Sequence, residues 1–289
     1  MVDGRIDVKA GLLEPKIDVH AHVLPGEEGL RQSDRLVAVA DKLGITELWC
    51  SAPIAGGRMA SPEEIRRNND GVIAAMRRHP RRIRGLCFVI PGYYTEAIAE
   101  VERCLAAGMI GIKLYNQYKI HDPAVWPIIK LAAERRIPVL EHCAHLTGKT
   151  LAEQPLTSDG ADMARISERF PDAILINAHI GGGGDLEWSL RALRDASPNL
   201  YVDVSGSNLE DGQIEMAVAE LGASRVLFAT DSTMEGCVGK VIGARLSRKE
   251  KEMIFRLNAA DILAKQGLQP FYQTQAAGTI NGEASADAV

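Results

Sequence analysis

Eight short, β-rich apolar runs recur along the chain, at residues 17–20, 45–50, 83–90, 109–115, 137–142, 174–179, 200–204 and 226–230. Their starts lie about 26–38 residues apart, which leaves room for a loop, a helix and a return loop between parallel strands. Near-continuous apolar runs are what strands covered on both faces require. A chain of 289 residues could hold two ordinary domains or one large one,. Eight strand-helix units favour the single large one, an α/β fold of the (β/α)8 TIM barrel type. A doubly wound sheet usually has fewer strands and a glycine fingerprint after the first of them. Here the first run ends Asp18-Val19-His20-Ala21-His22, without GxGxxG. Gly181 to Gly184 follows the sixth run, which is weak support for a dinucleotide cradle,. The expected organisation is an N-terminal extension over 1–16, the barrel over 17–268 and a flexible C-terminal tail over 269–289, low in periodicity from Phe271 onward,.

Helix punctuation lies between the runs. Ser61-Pro62-Glu63-Glu64 and Ser247-Arg248-Lys249-Glu250 read as capping boxes, and Asp122-Pro123 reads as a cap followed by a proline in the first turn,. Five cysteines, two of them inside apolar runs and none in a CxxC pair, suit reduced thiols in a cytoplasmic protein,. The net charge of -5 and the lack of an extended basic run argue against nucleic acid as a partner,. No run of about 18 apolar residues and no signal-like apolar segment near Met1 occurs, so no membrane partner is expected,. A small-molecule substrate remains, and a homodimer is the assembly to test.

Polar residues interrupt the runs at informative places. His20 and His22 are two apart and share one face of the first strand,. His142 ends the fifth run, His179 the sixth, and Asp231 follows the eighth. In a barrel these positions meet at the carboxyl rim of the strands, where active sites of this fold lie. Imidazoles plus a carboxylate suit a divalent transition metal: Zn²⁺ first, with Mn²⁺, Fe²⁺ or Co²⁺ admitted by ligand type.

The ordered set Asp18-Val19-His20-Ala21-His22, Gly111-Ile112-Lys113-Leu114, Val139-Leu140-Glu141-His142, Asn177-Ala178-His179-Ile180-Gly181-Gly182, Phe228-Ala229-Thr230-Asp231-Ser232 and Leu257-Asn258-Ala259 resembles the amidohydrolase superfamily, over nearly the whole chain. More narrowly it resembles the branch that mixes metal-dependent hydrolases, lactonases and non-oxidative decarboxylases. The resemblance implies that His20, His22, His142 and Asp231 hold one ion, that Asp231 is the general base toward a water acidified by it, and that His179 polarises the substrate. Lys113 has three readings: a carboxylated bridge that would bring a second ion, a counter-charge to a substrate carboxylate, or a structural ion pair. Tyr115 shares the face of Lys113 and could donate to a substrate oxygen,. Loop residues Arg58 and His145 are candidate substrate contacts. Glu141 is turned away from His142 by alternation and is left out of the site. Cys143 is read as packing.

The leading class is a metal-dependent hydrolase acting on the carbonyl of an amide, lactone or imide in a small substrate that could carry a carboxylate. The alternatives are a non-oxidative decarboxylase of an aromatic or unsaturated acid, and a non-catalytic metal-binding barrel. Decarboxylases of the resembled branch often carry a glutamate soon after the strand-six histidine, where this chain has Gly181 to Gly184. With aromatics at 5% the chain is also short of rings for an aromatic pocket. Metal-dependent deoxyribonuclease barrels share HxH but place glutamate where Lys113 stands.

Overall fold

The computed structural model describes residues 7–180, 182, 186–206 and 208–273. Within them run the strands β1 (Lys16–His22), β2 (Ile45–Ser51), β3 (Ile83–Phe88), β4 (Gly111–Leu114), β5 (Pro138–Glu141), β6 (Ile174–Asn177), β7 (Leu200–Asp203) and β8 (Val226–Leu227). They pair in parallel and in sequence order from β1 to β8. A helix lies between every successive pair, so the fold is the single-domain (β/α)8 barrel that the spacing of the runs predicts,. The helices are α1 (Val8–Leu13), α2 (Gly26–Lys42), α3 (Pro62–Arg78), α4 (Tyr94–Ala106), α5 (Trp126–Arg135), α6 (Gly148–Glu153), α7 (Gly160–Arg169), α8 (Leu186–Leu193), α9 (Gln213–Leu221), α10 (Met234–Gly243), α11 (Arg248–Glu252) and α12 (Asn258–Lys265). A π-helical turn, Met253–Leu257, joins the last two. No helix of the described residues is long and apolar enough to cross a membrane.

Alternation along each strand sorts its apolar side chains into two layers. Ile17, Val19, Trp49, Leu86, Leu140, Ile176 and Leu227 fill the barrel, and Ala259, Ile262 and Leu263 of α12 join this cluster. Ala21, Cys50, Cys87, Ile112, Val139, Leu175 and Val202 face outward and pack with Val72, Val101, Ile128, Met163 and Val238 of the helices. The change of layer between Val19 and Ala21 coincides with a register shift in β1 between Asp18 and Ala21. That bulge resets the alternation and carries His20 and His22 to the inside.

The same bulge shapes the seam between the first and last strands. The run at 226–230 yields a strand of only two residues. Beyond it the seam uses single bonds: Val19 N to Phe228 O at 3.1 Å and Asp231 N to His20 O at 2.7 Å. Between them the buried Asp18 carboxylate accepts from Thr230 N at 3.0 Å and Thr230 Oγ1 at 2.6 Å, and from His20 N at 3.0 Å. A side chain replaces part of the ladder. On the outer side Phe228 N donates to Ile254 O of the π turn at 2.9 Å.

Of the three helix starts read from the sequence, two follow their local signals. Ser61 accepts from Glu64 N, and Ser247 with Glu250 completes the reciprocal box, as does Asp159 with Asp162,. Asp122, expected to cap a helix, instead accepts from Ala124 N in a turn, and α5 starts at Trp126 with Pro127 in its first turn. Both expected flanking segments are tied to the barrel where they are described. Lys16, buried in β1, donates to Gly11 O, Leu12 O and Glu14 O, so α1 is fastened by its last carbonyls. Past 268, the segment expected to be flexible is held as far as Gln273: Phe271 N donates to Glu47 Oε2 at 2.9 Å, and Arg84 bonds Gln269 O at 2.6 Å. The rest of the expected tail, 274–289, lies outside the described residues.

Candidate metal centre

The carboxyl rim gathers five of the residues singled out in the sequence. His20 and His22 come from β1, His142 and His179 follow β5 and β6, and Asp231 follows β8. Donor atoms of His20, His22 and Asp231 lie within 4.8 Å of one another. His22 Nε2 is 3.0 Å and His20 Nε2 3.8 Å from Asp231 Oδ1. His179 Nδ1 is 3.8 Å from the other oxygen, Asp231 Oδ2. His142 stands one ring farther out, with its Nδ1 3.0 Å from His179 Nε2.

The backbone is bent to present these groups. His179, Asp231 and Ser232 all have positive φ, of 59°, 45° and 68°. For side chains other than glycine this is a costly conformation that persists where the surroundings impose it. At Asp231 the bond from its N–H to His20 O imposes it. Near His179 the chain turns at Gly182, where an added Cβ would fall 2.9 Å from His179 O and 3.1 Å from Cys143 O. Gly181, Gly183 and Gly184, the other glycines of that run, lie outside the described residues.

The donor chemistry fits a divalent cation. His20 Nδ1 is 3.0 Å from Asp203 Oδ2, and His22 Nδ1 is 3.3 Å from Ser51 O. Asp203 accepts only, so His20 Nδ1 carries the proton and its Nε2 offers a lone pair on the side of Asp231,. His22 Nδ1 also lies 3.1 Å from Ser51 Oγ, which can donate or accept, and its Nε2 faces Asp231 Oδ1 at 3.0 Å. Burial, with the nearby Lys113 charge second, holds the His20 imidazole well below its ordinary pKa. Burial and then His179 do the same for His142. Neutral imidazoles are the ligating form. Burial opposes ionisation of Asp231, but the His22 hydrogen bond and the neighbouring histidines outweigh it and hold the carboxyl at about 2.

The other candidates fall in different places. Lys113 is fully buried inside the barrel with Nζ 3.4 Å from His20 Nε2. Among the described residues no carboxylate stands within ion-pair distance of it. Burial lowers its pKa, against the opposing charges of Glu141, Asp203 and Asp231. Tyr115 stacks on the His142 ring at 4.1 Å. Arg58 is exposed and paired with Glu64 at 2.5 and 3.1 Å. His145 stacks on Trp188 at 3.9 Å, with Asp159 Oδ2 3.8 Å from its Nδ1. Neither Arg58 nor His145 touches the histidine cluster among the described residues. Glu141 is fully buried, and Ser158 Oγ donates to it at 2.6 Å. Burial pushes its carboxyl up to about 8. Burial also pushes the Cys143 thiol well up, which makes it a poor nucleophile,.

Sequence reasoning passed over Asp203 and Ser205. Asp203 ends β7 and bonds His20 Nδ1, and its other oxygen accepts from His179 N at 3.0 Å. Ser205 Oγ lies 3.0 Å from His179 Nδ1 and 3.3 Å from His20 Nδ1. The available signal was an aspartate interrupting the seventh apolar run, in the same way that Asp231 closes the eighth.

A family model described as amidohydrolase matches residues 17–265. The chain belongs to the amidohydrolase family. No curated protein matches at a significant level. Several solved structures share the amidohydrolase fold. One is a Staphylococcus aureus protein provisionally described as an amidohydrolase, with TM-score 0.69 and 18% identity over 86% of this chain and 99% of that one. Another is a dihydroxybenzoic acid decarboxylase from Polaromonas sp. JS666, solved with manganese and 2-nitroresorcinol, with TM-score 0.68 and 20% identity over 86% of this chain and 96% of that one. A third is the 5-carboxyvanillate decarboxylase of Novosphingobium aromaticivorans, solved with manganese and 4-hydroxy-3-methoxy-5-nitrobenzoic acid, with TM-score 0.64 and 20% identity over 79% of each chain.

Proposed function

We propose that this amidohydrolase-family protein is a metal-dependent hydrolase that opens the carbonyl of an amide, lactone or imide in a small substrate. The observation that carries the reading is the position of Asp231, which faces both metal-competent imidazoles with one oxygen and His179 with the other. His20, His22, His142 and Asp231 would hold one divalent ion, Zn²⁺ or Mn²⁺ by donor type. Such an ion supplies Lewis acidity and an acidified water.

The chain's own residues do the rest. Asp231, kept ionised down to about pH 2, accepts the proton of the attacking water at its free oxygen and returns it to the leaving group,. Lys113 sits beside His20, and among the described residues no carboxylate lies within ion-pair distance of it, so a substrate carboxylate would supply a counter-charge. Tyr115, stacked on His142, offers an aromatic surface and a hydroxyl at the same rim. His179, expected from the sequence to polarise the substrate, has its two ring nitrogens at Ser205 and His142 and is better placed to orient His142.

A second reading, non-oxidative decarboxylation, is supported by the manganese-bound decarboxylases that share the fold. One experiment separates the two. Metal-quantified protein is offered lactones, cyclic amides and aromatic carboxylates, and products are followed as acid released or carbon dioxide evolved. Acid from a lactone or amide supports hydrolysis, whereas carbon dioxide from an aromatic acid, with no hydrolysis, replaces it with the second reading. An ion-free protein that turns over either substrate would remove both.

A further inference from the structure

The geometry points to Asp203 and Ser205 as positioning residues that set the proton positions of three site histidines and thereby decide which ring nitrogens can take a metal. This deepens the proposed function and rests on its metal ligands. Ser205 Oγ lies 2.5 Å from Asp203 Oδ1, and a carboxylate can only accept, so the single hydroxyl proton is committed there,. Asp203 Oδ1 also receives His179 N–H at 3.0 Å and Ser205 N–H at 2.9 Å, which fixes the carboxylate in place. With its proton spent, Ser205 Oγ is an acceptor toward His179 Nδ1 at 3.0 Å. His179 therefore carries its proton on Nδ1.

The consequence passes along the rings. A neutral His179 with Nδ1–H has a bare Nε2, which can only accept from His142 Nδ1 at 3.0 Å. His142 is then protonated on Nδ1 and leaves Nε2 bare. Were His179 an imidazolium, the direction would reverse and a neutral His142 would carry its proton on Nε2, where it could not ligate. On the other branch, His20 Nδ1–H donates to Asp203 Oδ2 at 3.0 Å, leaving Nε2 bare. Lys113 Nζ lies 3.4 Å from that nitrogen and can donate to it,. One carboxylate on β7, through one hydroxyl, so orients ligands on β1 and β5 that lie across the barrel. Partners of ligating histidines are worth about 10–100-fold in metal affinity in other systems.

The test reads tautomers before it reads activity. In metal-free wild-type protein carrying ¹⁵N-histidine, NMR is expected to place the proton of His20, His142 and His179 on Nδ1. A proton on Nε2 of His142 or His179 overturns the inference whether or not the protein proves to be a hydrolase. In Ser205→Ala the Nδ1 preference of His179 and His142 should be lost. Its Zn²⁺ affinity, measured by chelator competition, should fall about 10–100-fold. Ser205→Thr, which keeps the hydroxyl, should restore both. Asp203→Asn, whose amide can donate toward His20, should shift the His20 proton to Nε2 and weaken Zn²⁺ likewise. Unchanged tautomers and affinity in Ser205→Ala overturn the inference, as does failure of Ser205→Thr to rescue. Loss of thermal stability alone, with tautomers unchanged, assigns Ser205 to structure and refutes it.

Discussion

Asp231 and His179 stand within 3.8 Å of each other and should respond differently to amide replacement. Asp231→Asn keeps one oxygen for an ion but cannot accept a proton, so kcat should fall far more than metal content, measured on the same preparation. His179→Asn separates two roles. A group orienting His142 should, when replaced, weaken metal binding along with kcat. A substrate polariser should cost on the order of 10²–10³ in kcat with the ion retained. Glu141 offers a test at equilibrium. Burial holds its proton up to about 8, whereas an unfolded glutamate releases it near 4.5. Between those values the folded chain binds more protons, so its contribution to stability is intact at the acid end and lost as pH rises through the window. Glu141→Gln should match the wild-type thermal midpoint near pH 5 and exceed it near pH 9, while parallel pH profiles would contradict the assignment. The ligand candidates were legible because histidine and aspartate break apolar runs at strand ends. Asp203 gave the same signal, but the resemblance names only the aspartate after strand eight. What no sequence pattern carries is which nitrogen of each ring holds the proton, since that depends on partners such as Ser205, 185 residues from His20.

Elements as short as β8 are held by what surrounds them. Asp18 joins β1 to the segment after β8 through Thr230 N and Oγ1, and also receives His20 N. Asp18→Ala leaves these donors buried and unsatisfied. At about 1–3 kcal/mol for each orphaned group, the loss should show as a sharply lowered denaturation midpoint, and an unchanged midpoint would mean that water repairs the seam. Gly182 poses the same kind of question for the loop after β6. A methyl at that position meets the backbone of His179 and Cys143, so Gly182→Ala should displace His179 and reduce activity before it reduces global stability. Activity equal to wild type would show that the loop has room to give. The eight elements were readable from apolar spacing, but their ends were not. Hydrogen bonding stops where a bulge, a carboxylate or a π turn takes over, as at Asp18 and Ile254, and hydrophobicity is blind to that exchange. Asp122 shows the converse, a sound capping signal used by a turn instead of a helix.

The whole barrel is coupled to its ion if the ligands are those proposed, because binding to the folded form alone adds stability. Purified protein should contain about one divalent ion per chain, and content near two would favour a carboxylated Lys113 bridge. Stripping it with a chelator should lower the thermal midpoint by about 5–10 °C, reversibly on adding Zn²⁺ or Mn²⁺, given about 2.7 kcal/mol at a hundredfold excess over Kd. A midpoint indifferent to chelator would place any ion elsewhere. The seam also has a consequence for how the protein is made. Its two sides are 212 residues apart at Asp18 and Thr230, and the donors that face each other across it come from the first strand and from the segment after the last. A chain growing on the ribosome displays His20 and His22 long before Asp231, so a site that needs all three cannot close until Asp231 has emerged. Nascent chains stalled before Val226 should therefore release Zn²⁺ to a weak chelator that chains carrying Asp231 resist.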